Sequence, residues 1–238
     1  MTTRQMTRMI AAMLFMAAGW THAATLLEWG FGEMVSTSGY GNEGLTFSSS
    51  PGVSSTGLWR GAGVWTVGTT MGRSWGGRNF FYSKEEALST DVCFYFDIMA
   101  DAGFTLTLTS IETPWCGSPQ QSPEYGQWQY SLDGGTGWTD IGGAETLPHG
   151  SYDWVYLDLS GIEDLKEVSG VTFRLVLWGG ESGTNGRFSF GTGTASGIGP
   201  SLPNALTING ILNIPEPSAM TLLVFGSAAF LLRRRKQK

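Results

Sequence analysis

Histidine is nearly missing from this sequence: only His22 and His149 occur in 238 residues. Cysteine is equally scarce, with Cys93 and Cys116 alone, and charged residues make up 14%. Each shortage excludes something. A Ser-His-Asp triad would have to use His149. Yet Leu147-Pro148-His149-Gly150 reads as a plain loop with no Gly-x-Ser-x-Gly elbow beside it. Two cysteines and two histidines at these spacings do not make a zinc site, so no metal ligands are assigned. No stretch repeats its apolar residues at the helical period, which excludes a helical bundle. No catalytic residue is assigned either.

Basic residues are few, and half of them lie at the two ends. Arg4 and Arg8 precede an apolar run from Ile10 to Trp20, and Thr21-His22-Ala23 then offers small residues for cleavage before Ala24. Residues 1–23 therefore read as a secretory signal peptide. At the other end, Pro215-Glu216-Pro217 is followed by the uncharged segment 218–232, then by Arg233-Arg234-Arg235-Lys236-Gln237-Lys238. The prolines bar a helix before residue 218. As a helix the uncharged segment would rise about 22 Å, short of the roughly 30 Å hydrocarbon core. The basic stop decides for a membrane helix whose charged end stays cytoplasmic, leaving the preceding chain outside. Between these ends, residues 24–214 hold seven basic and nineteen acidic side chains, a net charge of −12. Such a body disfavours nucleic acid and anionic membrane surfaces as partners.

The tail from Ile214 to Lys238 resembles the PEP-CTERM sorting signal of Gram-negative bacteria in order, spacing and position. That resemblance implies an exosortase-type partner that cuts near Pro215-Glu216-Pro217 and releases the body to the cell surface or exopolysaccharide matrix. The alternative is a plain C-terminal anchor that is never removed.

The body is rich in glycine and aromatics and reads as many short strands. Val92, Phe94 and Phe96 alternate with Cys93, Tyr95 and Asp97; Phe104, Leu106 and Leu108 alternate with threonines. These two runs are expected to pair as a hairpin across residues 100–103. Further strands are expected near 26–31, 44–47, 58–60, 64–67, 127–132, 138–141, 154–159, 171–178, 187–190 and 206–212. The expected fold is an all-β antiparallel sandwich, jelly-roll-like, over residues 24–213. Phe96-Asp97-Ile98-Met99-Ala100, Tyr130-Ser131-Leu132-Asp133-Gly134, Asp158-Leu159-Ser160-Gly161-Ile162, Val171-Thr172-Phe173-Arg174-Leu175 and Leu206-Thr207-Ile208-Asn209-Gly210 occur in that order. They resemble the β-sandwich ectodomains found ahead of PEP-CTERM tails, which implies a fold and no particular activity. Export to an oxidising space makes Cys93–Cys116 a candidate disulfide. In the expected hairpin it closes only if Pro114 turns the chain back.

Ser131-Leu132-Asp133-Gly134-Gly135-Thr136-Gly137-Trp138 resembles an Asp-box, a hairpin turn of secreted β-proteins in which the role is structural. Trp75 and Trp115, in Gly- and Pro-rich surroundings, are expected in loops and are the candidate glycan contacts. Asp133, Asp140, Asp153 and Asp158 at strand ends are candidate ligands of a structural calcium; no other cofactor is expected. The reading is a noncatalytic exported surface protein that contacts polysaccharide. The alternative is a carbohydrate-active hydrolase with two carboxylates.

Overall fold

Alternation of buried and exposed side chains along each strand builds the molecule, since a strand turns successive residues to opposite faces. The computed structural model describes residues 23–34, 45–66, 73–80, 82–117, 122–147, 149–150, 152–180, 186–192 and 204–214. Of the signal reading at 1–23 and the sorting tail at 214–238, residues 1–22 and 215–238 lie outside the described residues. Among the described residues, no helix is long and apolar enough to cross a membrane.

Two antiparallel sheets form the expected β-sandwich. The first runs β2 (Thr46–Ser49), β1 (Ala24–Gly30), β13 (Ala205–Asn213), β7 (Thr105–Gly117), β12 (Arg187–Gly191) and β5 (Ser74–Arg78). A seventh strand, β10 (Tyr152–Asp158), lies on the other flank of β7. The second sheet runs β3 (Val53–Ser54), β6 (Cys93–Ala100), β11 (Gly170–Trp178), β8 (Tyr125–Ser131) and β9 (Thr139–Thr146). Its sixth strand, β4 (Leu58–Arg60), also pairs with β6. Between the sheets lies an aromatic core. The Phe94 ring sits 5.3 Å from Trp75, 6.0 Å from Phe80, 5.9 Å from Phe188 and 5.5 Å from Phe190, centroid to centroid. Rings at such spacings add to the stabilisation from buried area alone.

The expected hairpin of β6 and β7 does not form. β6 pairs with β3, β4 and β11, while β7 belongs to the other sheet. The turn between them, closed by Phe104 N donating to Asp101 O at 3.0 Å, carries the chain across the core. Phe94 and Phe96 thus share the interior with Leu106 and Leu108 instead of lying beside them. One buried face per strand suits side-by-side and face-to-face placement equally, so the pattern could not separate them.

A six-residue helix, α1 (Lys84–Ser89), also escapes the periodicity argument because it is too short to show a period. Its start is nevertheless written in the sequence. Ser83 and Glu86 form a capping box: Glu86 N donates to Ser83 Oγ at 3.3 Å and Ser83 N to the Glu86 carboxylate at 3.0 Å.

Candidate functional site

The two tryptophans proposed for glycan contact are not in loops. Trp75 lies on β5 and is 1% exposed; Trp115 lies on β7 and is 3% exposed. The glycines after Trp75 let strands approach closely. A Cβ on Gly76 would sit 2.0 Å from Phe188 O and one on Gly77 2.3 Å from Val64. Pro114 is carried inside β7, and Trp115 stacks parallel to Trp128 across the core at 6.5 Å. Neither ring faces solvent.

The cysteine pairing also fails. Cys93 and Cys116 are both free and buried, on strands of different sheets. Alternation turns each to the side of its sheet opposite Phe94 and Trp115. Burial pushes both thiols up to about 12; for Cys93 the nearby Arg174 partly offsets this.

The candidate calcium ligands do not converge. The Asp133 carboxylate accepts from Thr136 N and Gly137 N at 2.9 Å, and from Ser131 Oγ at 2.7 Å. These bonds hold its carboxyl below the usual aspartate value, Gly137 contributing most. Asp140 accepts from Gln129, Asp153 from Trp154 N at 2.8 Å, and Asp158 from Ser160 N at 2.9 Å. Among the described residues, no three His, Cys, Asp or Glu side chains gather as a metal site would need. His149 Nδ1 lies 3.1 Å from Ser122 Oγ, but Ser122 is buried and offers no exposed nucleophile.

What the fold does assemble is the outer face of the six-stranded sheet. With Phe94, Phe96, Phe173, Leu175 and Trp128 turned inward, the residues between them face out. Strand register then aligns one row across five strands: Trp59 opposite Tyr95, Tyr95 opposite Arg174, Arg174 opposite Gln129, and Gln129 opposite Asp140. The row is bonded along its length. Trp59 lies flat beside Tyr95 at 5.7 Å with an interplanar angle of 8°. Arg174 Nε donates to Gln129 Oε1 at 2.6 Å, and Gln129 Nε2 donates to Asp140. Trp138 leaves the Asp-box turn, donates from its indole N–H to Gly135 O at 2.9 Å, and lies over the Arg174 guanidinium at 4.0 Å. It also tilts against Tyr95 at 5.8 Å. The Tyr95 hydroxyl donates to Asp91. Burial above all, then the neighbouring Cys93, raise its pKa and keep it a neutral donor.

One step along the same strands, about 6.8 Å away, lies a cleft of about 310 Å³ lined by residues including Asp97, Met99, Ser131, Leu132 and Thr172. Asp97 is held by the 55–56 segment, accepting from Ser55 Oγ at 2.6 Å, Thr56 N at 2.7 Å and Thr56 Oγ1 at 2.7 Å. Trp59, Met99 and Leu132 on this face stay 36%, 36% and 49% exposed. The alternation of β6 and β11 placed Tyr95 and Arg174 outward in the sequence, but nothing local tied Trp59 or Trp138 to them.

Residues 213–236 match the family described as PEP-CTERM protein-sorting motif. The chain carries a PEP-CTERM sorting motif at these residues. That match sets its route: it is an exported protein sorted to the cell surface by an exosortase. Comparison with curated proteins gave no match. Among solved structures, allantoicase from Saccharomyces cerevisiae is similar at 10% identity and a TM-score of 0.29, over 58% of this chain and 40% of that one. A second allantoicase structure aligns at 9% identity and a TM-score of 0.26, over 58% and 38%. The chain thus spans about two fifths of those structures, and scores this low bear on neither fold nor activity.

Proposed function

We propose that this protein is a noncatalytic polysaccharide-binding module of the cell surface or surrounding matrix. It would reach that place after the C-terminal helix has held it transiently in the membrane. The observation that carries the reading is the row Trp59–Tyr95–Arg174–Gln129–Asp140 with Trp138 folded onto it. Aromatic faces suit the apolar faces of sugar rings, and the exposed Asp140 carboxylate suits their hydroxyls. A strand platform is also rigid, which lowers the ordering cost of binding a long chain.

Affinity electrophoresis of the full chain in mild detergent, through gels containing polysaccharide, tests the reading. Trp59→Ala is expected to weaken retardation about tenfold, a loss of roughly 1.4 kcal/mol, while Trp75→Phe leaves it unchanged. Equal retardation of the wild type and a Trp59→Ala, Trp138→Ala double variant would sink it. Release of reducing ends from a bound polymer would make the protein a hydrolase instead.

A further inference from the structure

The charges on this face point to what kind of polysaccharide it takes, an inference that rests on the platform reading above. Among the described residues, the two cations that reach the face are already engaged. Arg174 is held by Gln129 and lies against the Trp138 ring. The Lys84 ammonium sits 3.8 Å from the Asp140 carboxylate and 5.5 Å from the Trp178 ring. Among the described residues, no lysine or arginine lines the cleft beyond the row, whereas Asp97 does. A uronate or sulfate laid there would meet a carboxylate and no free cation. It would also approach a body of net charge −12. An uncharged sugar meets no such penalty. Its apolar face has Trp59, Trp138, Met99 and Leu132, and its hydroxyls have Thr172 and Asp140.

We propose that the outer face of the six-stranded sheet selects an uncharged polysaccharide, seated on Trp59, Tyr95 and Trp138 and running into the cleft beside Thr172. Two rows on the same three strands make one continuous track: Tyr95 and Asp97 on β6, Arg174 and Thr172 on β11, Gln129 and Ser131 on β8. Cleft and aromatic row are therefore successive positions for one chain.

The test uses the full chain in mild detergent and six gels. Four contain neutral polymers (dextran, mixed-linkage β-glucan, arabinoxylan and galactomannan), and two contain polyuronates (alginate and polygalacturonate). Each is run at low and high salt. At least one neutral polymer is expected to retard the protein at least about tenfold more strongly than either polyuronate. Retention on the neutral polymer should be equal at both salt levels, because no ion pair is made, whereas the preference should narrow at high salt as repulsion of the polyuronates is screened. Met99→Arg places a cation on the cleft rim at an exposed position, where it does not disturb the core. It should gain retention on alginate at low salt and lose it at high salt. Wild-type retention on a polyuronate equal to that on the neutral polymers would overturn the inference and leave the platform reading standing. So would a Met99→Arg variant that gains nothing on alginate. No retardation by any of the six polymers would overturn the platform reading itself.

Discussion

Ala24 lies directly opposite Gly210, so the first strand of the sandwich is paired with its last. β13 sits between β1 and β7, and Asn213 at its end is tied to β7, donating from Nδ2 to Thr107 Oγ1 at 3.0 Å. The sorting motif begins at residue 213, where that strand ends. Folded body and sorting address therefore adjoin. Because β13 joins residues far apart in sequence, the seven-stranded sheet cannot be completed before the chain has emerged as far as Asn213.

Deleting residues 205–213 is accordingly expected to abolish cooperative thermal unfolding, followed by far-ultraviolet circular dichroism. Deleting residues 215–238 should leave the midpoint unchanged. A cooperative transition in the first variant would show that β13 is dispensable to the sheet.

Gln127 holds an irregularity in the edge strand β9. Its Nε2 donates to Ile141 O at 3.1 Å and to Gly142 O at 3.4 Å, where the register with β8 shifts. Bulges of this kind blunt sheet edges against pairing with other chains. Gln127→Ala takes this donor from the buried Ile141 carbonyl and should cost about 1–3 kcal/mol in urea unfolding. A loss well below that range would mean that the bulge is held by its backbone alone.

Asp133 makes the Asp-box turn sensitive to acid. Its carboxyl is depressed in the folded protein, so the stability it contributes is fully present above the ordinary aspartate value of about 3.9. That stability is lost as pH falls through the lower native value. Asp133→Asn should therefore melt below wild type at neutral pH, with the gap closing in strong acid. A gap independent of pH would mean that the charge is irrelevant.

Cys93 and Cys116 act in the opposite direction. Burial raises both thiols to about 12, so their contribution is full below the ordinary thiol value of about 8.5. It declines as pH rises towards the native value, because the unfolded chain ionises first. Both should resist a thiol reagent at mildly alkaline pH until denaturant is added. A Cys93→Ser, Cys116→Ser variant should lose less stability than wild type on going to strong alkali. Rapid labelling of the native protein would contradict the burial of these thiols.

Individual strands were legible because the signal is local. Val171, Phe173, Leu175 and Leu177 alternate with polar or outward residues, and the strand covers them. Ser83 and Glu86 likewise announce a helix start, although the six residues that follow show no period. Trp75 and Trp115 were misread because glycine and proline usually mark loops. Here Gly76 and Gly77 instead permit close packing against β12 and Val64, and Pro114 is accommodated inside β7.

By itself the sequence determined the route of this protein and the identity of most strands. Both are written in contiguous residues: a Pro-Glu-Pro triplet before an apolar run and a basic stop, and alternation every second residue. Which strands became neighbours was decided only by the tertiary structure. β6 and β7 have the same pattern they would have as a hairpin, yet they face each other across the core. The row from Trp59 to Asp140 draws on five separate stretches, and Trp138 joins it from a turn. Burial of one face stabilises a strand whichever partner covers it, so only the closed sandwich, satisfying every strand together, specifies which side chains meet.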